Sequence, residues 1–218
     1  MAPMQVFTDH FAPLTTAARQ QSLSATLSAR PNSDGELWVF GYGSLMWEPG
    51  FAPTAVEPAR LDGWHRAMCV WTALARGTPA CPGLSLGLMP GGSCQGLALR
   101  IADASAGAAL DRLWQREMWT DVYRPFWSSA TAGGREIAVL AFVANPESRQ
   151  FAGALPPTKT VEHIALAHGQ RGPCRDYLYQ TVEKLQALGI SDRDLEALTD
   201  AVTSHGKTPK SDCSPASR

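Results

Sequence analysis

The 218-residue chain has no surplus of charge of either sign: 19 Lys and Arg stand against 20 Asp and Glu, a formal net charge of −1. Without a basic stripe to neutralise phosphates, no nucleic-acid partner is expected. No apolar run approaches the roughly 18 residues of a membrane-spanning helix. The first residues carry Asp9 and His10, where a secretory leader needs a basic segment followed by an apolar one. No membrane partner is expected either, and the location read from the sequence is cytoplasmic. Cysteine is sparse and unpatterned: Cys69, Cys81, Cys94, Cys174 and Cys213 are odd in number, irregularly spaced and form no Cys-x-x-Cys. That argues against a disulfide framework and a zinc knuckle, and reduced thiols fit the cytoplasm. The histidines, His10, His65, His163, His168 and His205, include no His-x-x-x-His pair and no paired acidic cluster, so no metal site is expected. His65 and His163 read as structural or surface residues.

Two further absences concern the glycine-bracketed turn in Trp38-Val39-Phe40-Gly41-Tyr42-Gly43-Ser44-Leu45-Met46-Trp47. A dinucleotide-binding loop needs Gly-x-Gly-x-x-Gly opening a helix, yet the third glycine position is Met46, and Pro49, Pro53 and Pro58 oppose a helix. A hydrolase nucleophile elbow needs glycine two residues after its serine, and again Met46 stands there. No nucleotide cofactor is expected, and Ser44 reads as a hydroxyl or backbone donor rather than a nucleophile. What is present is a short apolar run, Leu37 to Phe40, that reads as a buried strand. It breaks into a turn where Gly41 and Gly43 permit φ values or a backbone approach that a Cβ would resist. Such a turn can present several N–H groups to an anion. Taken alone, a bare Gly-Tyr-Gly-Ser is more often a tight turn closing a core strand, and the residues leave both readings open.

At 44% hydrophobic, the chain can bury one sizeable core, so a single domain is the default. Residues 1–34 read as a lead-in with a weak helical pattern near Leu14 to Leu27, 35–205 as the domain, and 206–218 as a flexible tail rich in Ser, Pro and Lys. Six runs read as strands: Leu37 to Phe40, His65 to Thr72, Leu84 to Met89, Gly96 to Ile101, Tyr123 to Ser128 and Glu136 to Val143. Gly91-Gly92 is expected to turn a hairpin between two of them. A helix is expected over Asp103 to Trp119, and the last third, from Pro157 to His205, is expected to be helical. Gly169 and Gly189 read as helix stops, and Ser191 with Asp194 as a capping box opening the final helix. Tyr177, Leu178, Thr181, Val182, Leu185 and Leu188 follow the 3.6-residue period. The whole suggests an α+β fold, a small curved sheet or barrel with helices packed on it.

Within the first of these helices, Ala106, Leu110, Leu113, Trp114 and Glu117 share one stripe, which places a carboxylate on the apolar face. Taking an ion out of water costs several kcal/mol, and the usual response is a raised pKa or a paired cation. A raised pKa suits a general base or acid. An ion pair with Arg66, Arg76 or Arg124 is the structural alternative, and the pattern alone leaves the two level. Asp111 and Arg112 fall off the stripe and read as solvated. With no activated Ser or Cys, metal cluster or cofactor loop, the remaining chemistry is proton transfer with backbone stabilisation of an oxyanion. An intramolecular reaction, in which the substrate brings its own nucleophile, suits such a site.

Seven segments in order carry a resemblance: the Trp38 to Trp47 stretch; Gly63-Trp64-His65-Arg66; Arg76-Gly77-Thr78-Pro79; Gly91-Gly92-Ser93-Cys94; Trp114-Gln115-Arg116-Glu117-Met118; Ala141-Phe142-Val143-Ala144-Asn145-Pro146; and Gly172-Pro173-Cys174-Arg175-Asp176-Tyr177-Leu178. From Glu36 to Leu198 the chain resembles the ChaC-type glutathione-specific γ-glutamylcyclotransferases. The resemblance implies a γ-glutamylcyclotransferase-like small mixed β-barrel with flanking helices over residues 35–205. It also implies cofactor-independent cleavage of glutathione to 5-oxoproline and cysteinylglycine. It gives Glu117 the role of general base and acid, and makes Tyr42, Gly43, Ser44, Leu45, Met46 and Trp47 the loop that binds the γ-glutamyl group. Gly43, Ser44 and Leu45 would offer backbone N–H groups, and Tyr177 would line the same pocket or stand as a buried helix aromatic. Arg66 and Arg76 are open between a substrate carboxylate and a structural role. The seven tryptophans read as core or pocket wall. Two alternatives stand beside this: a cyclotransferase for other γ-glutamyl amino acids or amines, and a non-catalytic regulator of cation transport.

Overall fold

The structure, a computed structural model, describes residues 11–31 and 35–205; the tail read at 206–218 lies outside them. Five strands, β1 (Leu37–Gly41), β2 (Ala55–Thr72), β3 (Gly83–Ile101), β4 (Tyr123–Ala132) and β5 (Arg135–Ala144), close into a barrel in the order β1-β3-β2-β4-β5. β1 is antiparallel to β3, with Leu37 opposite Ile101 and Gly41 opposite Leu97, and parallel to β5, with Trp38 opposite Val139. The barrel is therefore mixed. Every residue of β1 is buried, as an apolar run covered on both faces must be, whereas the first half of β2 alternates between covered and exposed residues.

Two of the sequence expectations merge here. Leu84 to Met89 and Gly96 to Ile101 are one strand, β3, and Gly91-Gly92 makes no hairpin. Both glycines do take positive φ, 102° and 68°, but β3 continues through them. The tight hairpin lies instead at Gly133-Gly134, φ 55° and 76°, where Ala132 pairs with Arg135 and β4 returns as β5.

The chain divides into two compact units. The first comprises Pro13–Ala67 and Gly87–Asn145, and carries α1 (Thr16–Ser28) and α2 (Ala106–Glu117). The expected helix at Asp103 to Trp119 is thus shorter and is preceded by a 3-10 turn, Asp103–Ser105. Its buried residues, Ala109, Leu110, Leu113 and Trp114, face the barrel, with Trp114 edge-on to Phe142 of β5 at 5.4 Å. α1 is capped by Thr15, whose hydroxyl accepts from the Ala18 N–H at 3.1 Å. It takes hydrogen bonds from two indoles, Trp114 Nε1 to Ser22 Oγ at 3.3 Å and Trp127 Nε1 to the Thr26 carbonyl at 2.8 Å.

The second unit holds Met68–Leu86 and the described chain from Pro146 onward, with α3 (Pro157–Leu166), α4 (Cys174–Ala187) and α5 (Arg193–His205). α4 buries Cys174, Tyr177, Leu178, Thr181, Val182 and Leu185, following the expected period. Gly189 ends it at φ 70°, with the Ile190 N–H returning to the Leu185 carbonyl at 2.9 Å. Gly169 stops no helix; it pairs with Gly172 in a two-residue ladder, and a Cβ on it would lie 2.5 Å from the Gly77 nitrogen. The cap of α5 is Asp192, whose Oδ1 accepts from the Leu195 N–H at 3.2 Å, while Ser191 turns to Glu196. Cys69, Cys94 and Cys174 are free thiols, but Cys81 is disulfide-bonded, contrary to the expectation that all five are reduced.

Candidate active site

The turn after β1 is built by close approach. A Cβ on Gly41 would sit 3.3 Å from Leu45 Cβ and 3.4 Å from the Met46 nitrogen, and one on Gly96 of β3 would fall 2.3 Å from the Gly41 carbonyl oxygen. Gly96 leaves no room for a side chain, and at Gly41 one would have to push its neighbours aside by a few tenths of an ångström, so the chain folds back closely against its neighbour strand. Of the two expected uses of these glycines, close approach is the one found at Gly41: neither Gly41 nor Gly43 takes positive φ, Gly43 lying at −141°. Ser44–Met46 form a single 3-10 turn, with Met46 N–H bonded to Gly43 O at 2.9 Å, Trp47 N–H to Ser44 O at 3.2 Å and Glu48 N–H to Ser44 O at 2.8 Å. The N–H groups of Gly43, Ser44 and Leu45 are not among the donors of the turn.

Its side chains divide by direction. Tyr42, Leu45 and Met46 are buried, whereas Ser44 and Trp47 are half-buried. The Tyr42 hydroxyl donates to the Phe142 carbonyl at 2.6 Å, and its ring stacks on Phe40. Arg66 anchors the turn from β2, donating from Nε to the Tyr42 carbonyl at 2.7 Å and from Nη2 to the Gln95 carbonyl at 2.5 Å. Arg76 serves the second unit, where Nη1 donates to the Arg171 carbonyl at 2.5 Å and the Pro173 carbonyl at 3.3 Å.

Glu117 is the last residue of α2. Its side chain is 14% exposed and its Oε1 lies 3.0 Å from Arg116 Nε. Asp111 and Arg112 are exposed, as the stripe requires. The same Arg116 guanidinium donates from Nη2 to Ser44 Oγ at 2.6 Å and from Nη1 to the Glu48 carbonyl. The structure thus brings Glu117 and Ser44 to one cation. Arg116 and the Glu48 carbonyl are the members that sequence reasoning passed over. Adjacent helical residues do not face each other, so a helical wheel puts Arg116 off the stripe of Glu117; its one visible signal was its place in the Trp114 to Met118 segment.

Tyr177 belongs to the second unit. It is buried on α4, and its hydroxyl accepts from the Leu86 N–H at 3.4 Å. No group of three His, Cys, Asp or Glu side chains converges among the described residues.

The fold is that of γ-glutamylcyclotransferases. A crystal structure of the yeast γ-glutamylcyclotransferase specific to glutathione matches with a TM-score of 0.74 at 21% identity, covering 80% of this chain and 98% of that one. YkqA from Bacillus subtilis matches at 0.53 and 19% identity, covering 85% of this chain and 59% of its own. Residues 37–205 match the family model described as ChaC-like protein, and the chain belongs to that family. It is 36% identical over 185 residues to the glutathione-specific γ-glutamylcyclotransferase of Escherichia coli, covering 84% of this chain and 80% of that protein. To the glutathione-specific γ-glutamylcyclotransferase 1 of Homo sapiens it is 30% identical over 192 residues, covering 83% and 86%. The γ-glutamylcyclotransferase 2-3 of Arabidopsis thaliana is 32% identical over 175 residues, covering 76% and 88%.

Proposed function

We propose that this protein cleaves glutathione to 5-oxoproline and cysteinylglycine, with Glu117 as the proton carrier. The observation that carries the reading is the 36% identity, over 84% of the chain, to an enzyme named for that substrate. Support from the site is the half-buried Glu117 carboxylate sharing a guanidinium with Ser44 of the turn. In the reaction, Glu117 takes a proton from the α-ammonium of the γ-glutamyl group, and the freed amine attacks the γ-carbonyl carbon. The attacking nitrogen sheds its second proton, and the tetrahedral oxyanion collapses with rupture of the bond to the cysteinyl nitrogen, which receives the first proton back from Glu117; the second proton leaves through solvent and leaves the released amine as its ammonium. The substrate supplies the nucleophile, so the protein contributes orientation and proton transfer. Gly43, Ser44 and Leu45 offer donors to the α-carboxylate or the oxyanion, Trp47 flanks the turn, and Tyr42, Leu45 and Met46 hold it from beneath. The cytoplasm, where glutathione maintains a reducing pool, is the setting that fits this substrate.

Formation of 5-oxoproline from reduced glutathione by the purified protein tests the reading, with Glu117→Gln in parallel. Loss of the base is expected to lower kcat at least 10²-fold, the scale of general-base catalysis, while the fold persists. Near-normal turnover in Glu117→Gln would remove Glu117 from the mechanism, and equal turnover of γ-glutamyl-alanine would remove the specificity for glutathione.

A further inference from the structure

The guanidinium of Arg116 touches three points of the first unit: Glu117 Oε1 at 3.0 Å, Ser44 Oγ at 2.6 Å and the Glu48 carbonyl. Ser44 is 72 residues away in sequence. The side chains of Arg116 and Glu117 are 24% and 14% exposed, so the bonds to Glu117 and Ser44 are partly shielded from bulk water, where charge-assisted hydrogen bonds are strong, whereas the bond to the Glu48 carbonyl is exposed. Because a guanidinium is planar, always charged and donates at fixed angles, fixing one partner constrains the other two. An ammonium at the same place is a point charge that imposes no such relation.

We propose that Arg116 is a positioning residue that locks the Gly-Tyr-Gly-Ser turn to the base; this rests on the reading of Glu117 as proton carrier. Its Nε holds Glu117 Oε1 and favours the ionised carboxylate ready to accept a proton. The pair weakens when Glu117 takes the substrate's proton and is restored when that proton passes to the leaving nitrogen, so the guanidinium favours the second transfer. At Ser44, the hydroxyl oxygen accepts from Nη2, which leaves the hydroxyl's own proton to donate onward to substrate. The bond to the Glu48 carbonyl fixes the far end of the turn against the same cation. Ser44 therefore acts as an oriented donor, and the turn and the base move as one piece.

The test compares Arg116→Met and Arg116→Lys with wild type in 5-oxoproline formation across pH, in thermal midpoint, and in ¹³C NMR titration of the glutamate carboxyls, with Glu117→Gln assigning the signal. Arg116→Met is expected to lose about 10²-fold in kcat, the scale of a misplacement of about 1 Å, with a smaller change in KM. The acid limb of kcat/KM and the Glu117 carboxyl titration both move to higher pH. Arg116→Lys restores the limb but only part of kcat, and Ser44→Ala costs less activity in Arg116→Met than in wild type. Turnover of Arg116→Met within about twofold of wild type, with an unmoved limb, overturns the proposal. So does a loss of activity that tracks the thermal midpoint while limb and titration stay in place. If wild type itself forms no 5-oxoproline, the reaction assigned to the protein fails, and the carboxyl titration still decides the lock: an unchanged midpoint in Arg116→Met refutes it.

Discussion

His163 shows how burial sets a protonation state in this protein. Only 2% exposed, it donates from Nδ1 to the Pro82 carbonyl at 2.9 Å and meets the Trp71 ring edge-on at 4.7 Å. Burial is the largest influence and holds its pKa below the ordinary 6.5; the Pro82 bond and Glu162 oppose it, while Lys159 adds to it. The unfolded chain takes up this proton more readily than the folded one, so the stabilising contribution is complete above about pH 6.5 and declines as pH falls through it. Denaturant titrations between about pH 8 and 5 should show stability falling with acid more steeply in wild type than in His163→Gln; identical slopes would exclude the residue as a source. Burial acts the same way, against the charged form, at Cys174, whose thiol is pushed up to about 11 and donates to the Leu84 carbonyl at 3.1 Å. That thiol packs as a small neutral group, not as a nucleophile. Glu117 and Ser44 were visible in sequence because each broke a local pattern. Arg116 broke none, since an arginine on the polar side of a helix end is ordinary.

At the scale of elements, the turn depends on two glycines from different strands. Gly96→Ala would place a Cβ 2.3 Å from the Gly41 oxygen, and both partners are backbone. Strand separation is expected to cost about 1–3 kcal/mol, read as a lower denaturant midpoint together with a raised KM as the turn shifts. A variant with wild-type midpoint and KM would show that β1 and β3 can separate freely there. The helix α2 was legible through its period, and its C-terminal boundary placed Glu117 at the end of the stripe. The hairpins were not. Gly91-Gly92 and Gly133-Gly134 offer the same dipeptide and both take positive φ, yet only the second reverses the chain. Local conformation permits a turn at either pair; cross-strand pairing selects one.

At the scale of the molecule, the segment read as a lead-in bears on the barrel unit. α1 accepts from the indoles of Trp114 and Trp127, so deleting residues 1–28 leaves two indole N–H groups without those acceptors. Each lost bond costs about 1 kcal/mol, and with the exposed helix face the thermal midpoint is expected to fall by roughly 5–10 °C. An unchanged midpoint would reduce α1 to an ornament of the domain. The family could be read from seven ordered segments because chemistry-bearing turns and helix ends keep their order along the chain, and the 37–205 match covers that span.

The sequence by itself determined where most strands and helices lie, though not their bounds or their merging in β3, together with the covered stripe of α2, because periodicity and glycine placement act over a few residues. Only the tertiary structure decided the mixed closure of the barrel, the pairing of Glu117 with Arg116 and the direction of each turn side chain. These depend on contacts between residues tens of positions apart, such as Arg116 with Ser44 and Gly41 with Gly96, and no local pattern encodes which distant groups a closed barrel will bring within hydrogen-bonding reach.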